Sequence, residues 1–244
     1  MSGRRESLLF ELGLGPIWKL RQAPAASLQT PQATTAAGPP QDVDASPAAL
    51  GRAAQIAAMS WDDLRCGVAE CRACALCQGR RQAVLGVGDV AADWLFVGEG
   101  PGAEEDERGE PFVGAAGKLL DAMLAAIDLK RGSDVYIANA VKCRPPGNRT
   151  PEAEELAACQ PFLERQIALL KPKLIVALGR PAAQALLGTE VKISASRGRL
   201  FEHNGIPLVV TYHPAYLLRN LTDKARTWED LCFARRTMRQ LKAG

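Results

Sequence analysis

The sequence predicts an α/β fold, a three-layer αβα sandwich around a four-stranded, mainly parallel sheet. Two observations carry that expectation. Short apolar runs alternate with segments of helical period, and strands that alternate with helices make a parallel sheet covered on both faces. The apolar fraction of 47% is enough for a sizeable core.

The elements follow in order. "DWLFVGEG" is a short apolar run ending in glycines, and "GKLLDAMLAAIDL" has helical periodicity. "DVYIANAVKC" is a second strand. "TPEAEELAACQPFLERQIALL" is a helix, with Thr150 expected as N-cap, Pro151 at the first helical position and acids in the first turn. "PKLIVALG" is a third strand, followed by "RPAAQALLG", a short helix closed by a glycine. "GIPLVVTYHP" is the fourth strand and "DKARTWEDLCFARRTMRQLK" the final helix. In such sheets a site gathers beyond the carboxyl ends of the strands. Those ends are "GEGPG", "NAVKCRPP", "LGRP" and "YHPAYLL".

The regular pattern begins near residue 59, so residues 59–244 are read as the main folded domain. Residues 23–58, rich in Ala, Pro, Thr and Gln, hold almost nothing large to bury and are expected to be a disordered linker. Residues 1–22 carry leucines, Phe10 and Trp18, broken by Gly13, Gly15 and Pro16. That segment is either a short docking motif for a protein partner or a piece that packs back on the main domain. No run approaches the length of a transmembrane helix, and Glu6 and Glu11 interrupt any signal-peptide stretch. The expectation is a cytoplasmic monomer without a membrane partner. Its formal charge of +3 permits a nucleic-acid partner without demanding one. In that compartment seven cysteines point away from disulfides and towards metal ligation or buried thiols.

Several groups stand out chemically. Gly98, Gly100 and Gly102 in "GEGPGAEEDERGEPFVG" let backbone turn sharply and approach a ligand, although the spacing is neither a phosphate loop nor a dinucleotide fingerprint. Phe112 in the same loop suits either a core role or a stacking platform for a flat ring. Asn139, near the end of an apolar strand, needs a partner for its amide. One amide offers an acceptor beside donors, which matches the N–H and C=O of an imide edge such as that of uracil and mismatches cytosine. His213, at a strand end before proline, is a candidate donor to a developing anion, whereas His203 in "EHNGIP" reads as part of a hairpin turn. Among the cysteines, Cys71 and Cys74 form C-x2-C, and Cys143 and Cys159 form C-x15-C. A rival local set is Cys66, Cys71, Cys74 and Cys77. Spacing alone chooses neither between the sets nor between zinc and an iron–sulfur centre.

From about residue 66 to the C-terminus the chain resembles the family-4 uracil-DNA glycosylases, base-excision repair enzymes. "CRAC", "GEGPGAEEDERGEPFVG", "NAVKCRPPGNRTP" and "HPAYLLRN" match in that order. The resemblance implies a bacterial cytosolic enzyme acting on DNA containing uracil, single- or double-stranded, and leaving an abasic site. It implies a [4Fe–4S] cluster on Cys71, Cys74, Cys143 and Cys159. Glu99 and Gly100 would line the uracil pocket, Phe112 would stack on the ring, Asn139 would read its edge and His213 would face its O2 oxygen. Ala103 departs from the pattern, since an acidic residue is common there, and leaves Glu104 and Glu105 as the acids of the loop. Glu99 and Glu105 are the candidate activators of the attacking water. In the tip "AYLLR", Leu217 or Leu218 is the candidate wedge for the gap left by a flipped base, and Arg219 a phosphate contact. A related group that traps uracil covalently carries "GEQPG" and a histidine after the second strand. Gly100 and the histidine-free "KCRPPGNRTP" predict turnover here. The alternative is an iron–sulfur or zinc nucleic-acid-binding module without turnover.

Overall fold

The computed structural model describes residues 47–243. Residues 1–46, which include the expected docking segment and most of the expected linker, lie outside the described part. Three helices come first: α1 (Pro47–Ala57), α2 (Trp61–Glu70) and α3 (Leu76–Gly79). Then follow β1 (Val87–Gly88), β2 (Trp94–Gly98), α4 (Ala103–Arg108), α5 (Ala115–Ala126) and β3 (Val135–Asn139). A 3₁₀ turn at Pro146–Asn148 leads to α6 (Ala153–Leu170), β4 (Leu174–Leu178), α7 (Arg180–Leu187) and α8 (Ile193–Ser196). The chain closes with β5 (Leu200–His203), β6 (Ile206–Thr211), α9 (Pro214–Leu217) and α10 (Asp223–Ala243).

The sheet order is β1-β3-β2-β4-β6-β5. The four inner strands are parallel and are the four that the sequence pattern shows. Two short antiparallel strands, β1 and β5, extend the edges, so the sheet has six strands rather than four. Neither had an apolar run to reveal it: β1 is two residues long, and β5 is mostly exposed. The β5–β6 hairpin turns at Asn204 and Gly205, both with positive φ, as "HNG" suggests.

Every residue of β2, β3 and β4 is buried, as in a sheet covered on both faces. Successive side chains alternate between two cores. Phe96, Ile137 and Val176 pack against α5 and α10, while Leu95, Val97 and Ile175 pack against α6 and α7. A third cluster joins α1, α2 and the first half of α6 around Leu64, Phe162, Cys143 and Cys159.

Two expectations need correcting. The linker expected to run to residue 58 is helical from Pro47. Ile56 is buried, and Arg52 ties α1 to α6 by donating to Ala158 O at 2.8 Å while lying 5.0 Å over the Phe162 ring. Helix α6 begins at Ala153, with Glu152 and not Thr150 at its N-cap. The buried Glu155 carboxylate accepts from Glu152 N at 2.8 Å, which sets the first turn there and leaves Thr150 and Pro151 outside the helix.

Candidate active site and cysteine cavity

A cleft of about 400 Å³ opens beyond the carboxyl ends of the parallel strands. The chain runs outward in opposite directions from β2 to β3 and from β4 to β6, so the crevice lies at the switch point of the sheet. Glu99, Gly100, Phe112, Asn139, His213 and Arg219 all line it, brought from four separate stretches of sequence. Gly98, expected at the site, does not line the cleft and packs against Asn139 and the Phe112 ring, two residues that do. A side chain there is excluded, because a Cβ would stand 2.5 Å from both Asn139 Oδ1 and Phe112 Cζ.

Phe112 has φ +55°, a strained value for a phenylalanine, and two clamps hold it. Arg131 donates to Pro111 O at 2.9 Å and Phe112 O at 2.8 Å. Glu105 Oε1 accepts from Val113 N at 3.0 Å and Gly114 N at 3.1 Å, and its Oε2 accepts from Gly102 N at 3.1 Å. Glu105 lines the cleft, and its carboxylate ties the two ends of the glycine loop together through these three bonds.

Asn139 is 2% exposed, and among the described residues its Oδ1 is the one buried side-chain N or O atom without a partner. An acceptor left in that state costs stability unless something outside the chain fills it. His213 is the N-cap of α9, with Pro214 at the first helical position. Its Nδ1 accepts from Ala215 N at 3.1 Å. That bond places the ring proton on Nε2 and makes Nε2–H a donor. Burial pushes the His213 pKa down to about 4, so at neutral pH the donor is an uncharged imidazole. Gly179 admits the histidine backbone: its φ is +89° and a Cβ would stand 2.9 Å from His213 Cβ. The His213 and Phe112 rings are 5.5 Å apart. Burial raises the Glu99 carboxyl above its ordinary range, offset by Thr150 and by the nearby Arg180.

Of the two candidate wedges, Leu217 is 1% exposed and packs in the main core. It is therefore not a wedge. Leu218 is 42% exposed and sits between that core residue and Arg219. His203 is structural, as expected: it is buried, with Nδ1 2.6 Å from Leu186 O and Nε2 3.2 Å from Glu164 Oε2. Sequence patterns gave no sign of the clamp at Arg131 or of the Arg149–Glu155 pair at the cleft wall, whose two bonds measure 2.8 and 2.7 Å. The first joins segments 19 to 20 residues apart, and the second closes across the turn that leads into α6.

Behind β3, Cys71, Cys74, Cys77, Cys143 and Cys159 line one small cavity together with Val68 and Phe162. Cys66 is exposed and turns away from it. The donor chemistry fits an anionic thiolate centre. Arg80 Nη1 donates to Cys143 Sγ at 2.8 Å, Lys142 N to Cys159 Sγ at 3.2 Å and Arg52 Nη2 to Cys71 Sγ at 3.5 Å. Burial pushes the Cys159 thiol up to about 12 and also raises Cys74 and Cys143, so holding thiolates there needs a cationic centre. Among the described residues no three Cys, His, Asp or Glu groups are arranged to hold a single ion.

The family model for the uracil DNA glycosylase superfamily matches residues 85–232, a span that holds the whole cleft. A type-4 uracil-DNA glycosylase of Thermotoga maritima is 47% identical over 161 residues, covering 65% of this chain and 83% of that protein. One from Pyrobaculum aerophilum is 44% identical over 173 residues, covering 67% and 87%. A type-5 enzyme of Thermus thermophilus is more distant, at 38% over 149 residues, covering 53% and 68%. On this match and on the frame of strands that carries the cleft, the chain belongs to the uracil DNA glycosylase superfamily and groups with its type-4 members.

Proposed function

We propose that the cleft binds a uracil flipped out of DNA and that the chain hydrolyses its N-glycosidic bond, releasing free uracil and leaving an abasic site. The observation that carries this reading is the unpartnered Asn139 Oδ1, buried at the floor of the cleft against the Phe112 ring. Uracil N3–H fills that acceptor while the amide N–H meets O4. Cytosine presents an acceptor at N3 and a donor at N4 and leaves both unmatched. Phe112 covers one face of the ring. Flipping costs a few kcal/mol, least for a badly paired or unpaired base, so both single and double strands are substrates.

As the C1′–N1 bond breaks, its electron pair passes to uracil N1 and spreads onto O2. The Nε2–H of His213 donates to O2 and strengthens its bond as the charge grows. A neutral donor is the better match, since it leaves no ion pair to be broken when uracil departs. Water attacks C1′, forming the new C–O bond, and Glu99 takes its proton. With Glu105 committed to the loop, Glu99 is the remaining acid at the pocket floor. Among the described residues no lysine lines the cleft, and Lys142 is buried with its ammonium on two carbonyl oxygens, so the reaction of this reading runs without a Schiff base and without strand cleavage.

Cys71, Cys74, Cys143 and Cys159 hold the [4Fe–4S] cluster of this reading. Cys77 also reaches the cavity, and the exposure of Cys66 argues against the local set. When bound, the cluster supplies a structural cross-link between the loop after α2, the end of β3 and α6. Leu218 follows the flipped base into the duplex, and Arg219 contacts a phosphate. A binding module without turnover is not favoured, because the cleft carries a donor, an acid and a ring platform around one buried acceptor.

The test is release of labelled uracil from single-stranded and duplex oligonucleotides by the full chain. Turnover, with Asn139→Ala losing most of it, is the expected result. Tight binding without release overturns the enzyme, and an Asn139→Ala protein with full activity overturns the base-reading role.

A further inference from the structure

Among the described residues Lys142 is the one buried lysine or arginine. It is 1% exposed, yet no carboxylate is among its hydrogen-bond partners. Other buried charged groups have counter-ions, such as Glu155 with Arg149 and Asp230 with Arg197, and the buried Asp106 carboxylate accepts from the Arg81 backbone N–H. The Lys142 ammonium donates instead to Asn139 O at 2.7 Å and to Gln166 Oε1 at 2.5 Å. Gln166 is itself held, with Nε2 donating to Leu85 O at 2.9 Å and to the Tyr136 hydroxyl at 3.3 Å. The Lys142 backbone is tied at both ends, its N–H to Cys159 Sγ at 3.2 Å and its C=O to Val84 N at 2.7 Å. A well-packed apolar side chain would fill this space without the cost of desolvating a charge. Its link to Asn139 is therefore what the charge provides.

The position of that link matters. Asn139 is the last residue of β3, and the peptide that follows it is held at both edges: its N–H, from Ala140, donates to Gly98 O at 2.8 Å, and its C=O accepts from the Lys142 ammonium. The direction in which the Asn139 amide points follows from the two peptides that flank it, and one of those is anchored by Lys142.

We propose that Lys142 is a positioning residue that couples the cysteine cavity to base reading: its backbone is fixed to Cys159, and its ammonium holds the Asn139 carbonyl so that Oδ1 meets uracil N3–H. The inference rests on the reading of Asn139 given above. It predicts that Lys142 and Asn139 act as one unit, which a merely structural lysine would not do.

The experiment is a double-mutant cycle on the holoenzymes, with Lys142→Met, Asn139→Ala and the pair. Three quantities are read: affinity for free uracil, the single-turnover rate on a single-stranded uracil oligonucleotide and the iron-to-protein ratio. Lys142→Met should keep its iron and weaken uracil affinity and rate by about tenfold, as loss of a hydrogen bond to a charged group does. In the Asn139→Ala background the same substitution should change either quantity by less than about twofold. An equal loss in both backgrounds, or no loss in either, overturns the inference. Should Lys142→Met fail to take up iron, Gln166→Glu serves in the same cycle. The introduced carboxylate draws the ammonium away from Asn139 O, so its loss must likewise vanish in the Asn139→Ala background. An additive loss overturns the Lys142 role alone, whereas an Asn139→Ala protein that binds uracil normally overturns the base-reading role and the coupling with it.

Discussion

The cleft and the cysteine cavity lie on opposite sides of one short stretch, Asn139–Cys143, and are built on opposite principles. The cleft draws Glu99 and Gly100 from the end of β2, Asn139 from the end of β3 and His213 from beyond β6, and among the described residues it holds the one buried side-chain acceptor without a partner. In the cavity, three of the sulfurs already receive hydrogen bonds, two of them from guanidinium groups. A vacant acceptor is the mark of a surface prepared for a transient guest. Sulfurs ringed by donors mark a site for a permanent one. The two sites should therefore fail differently: damage to the cavity costs the fold, and damage to the cleft costs the rate.

The largest effect should come from the cavity. Replacing Cys159, on α6 and nearly fully buried, with serine should abolish bound iron, about four atoms for one cubane cluster, and lower the melting temperature. Cys66→Ser should retain iron, colour and melting temperature. Iron analysis and a thermal melt of both variants check this. A Cys66 variant that loses iron while the Cys159 variant keeps it would move the ligand set to the local quartet and dissolve the contrast between the regions.

Next is the rate. His213→Ala should lower single-turnover cleavage by about 10²–10³-fold with DNA affinity and iron content unchanged. A variant that loses affinity and not rate would make the histidine a positioning residue and leave the anion stabilised elsewhere.

The same histidine predicts a smaller effect on stability, with a defined sign. Its folded pKa is about 4, against an ordinary value of 6.5, because burial disfavours the cation. Above pH 6.5 the ring is neutral in both folded and unfolded chains and contributes nothing. Between 6.5 and about 4 the unfolded chain binds a proton that the folded chain refuses, so stability falls as pH falls. The full loss is on the order of 3 kcal/mol and is complete only below the folded pKa. Urea denaturation at pH 7 and pH 4.5 should show His213→Gln losing less on acidification than the unmodified chain. Equal losses would mean that the ring is solvated and charges freely, and the neutral-donor mechanism would fail.

The two regions also differ in how far the sequence discloses them. The four inner strands and the cleft residues announce themselves because strand ends in a parallel sheet must converge and because Gly98, Asn139 and His213 are residue types out of place beside apolar runs. Cys71 and Cys74 are visible as a local pair. What stays hidden depends on contacts between distant stretches. Arg131 reaching back to the Phe112 carbonyl and Arg52 tying an Ala-rich segment to α6 have no local signal. Edge strands β1 and β5 are missed for a related reason: with one side towards solvent, they need no apolar run.

The smallest expected effect separates two adjacent leucines that the sequence left equivalent. Leu217 is buried in the core, so Leu217→Ala should cost about 2–5 kcal/mol of stability and depress activity on every substrate alike. Leu218 is 42% exposed beside the cleft, so Leu218→Ala should leave stability within about 0.5 kcal/mol of the unmodified chain. Its loss should appear only where a base pair must be broken. The wedge offsets part of the few kcal/mol that extrusion costs, which makes a loss of about tenfold on duplex substrate reasonable. A single strand has no pair to break and no gap to fill, so there the rate should hardly change. Parallel single-turnover measurements on a single-stranded oligonucleotide and on the same sequence as a duplex decide it. Equal loss on both substrates by Leu218→Ala would mean that the side chain supports the His213 loop. In that case the gap in the duplex is filled by another group at the cleft mouth, of which Tyr216, 36% exposed with its hydroxyl anchored 2.7 Å from Asp223 Oδ2, is the nearest aromatic.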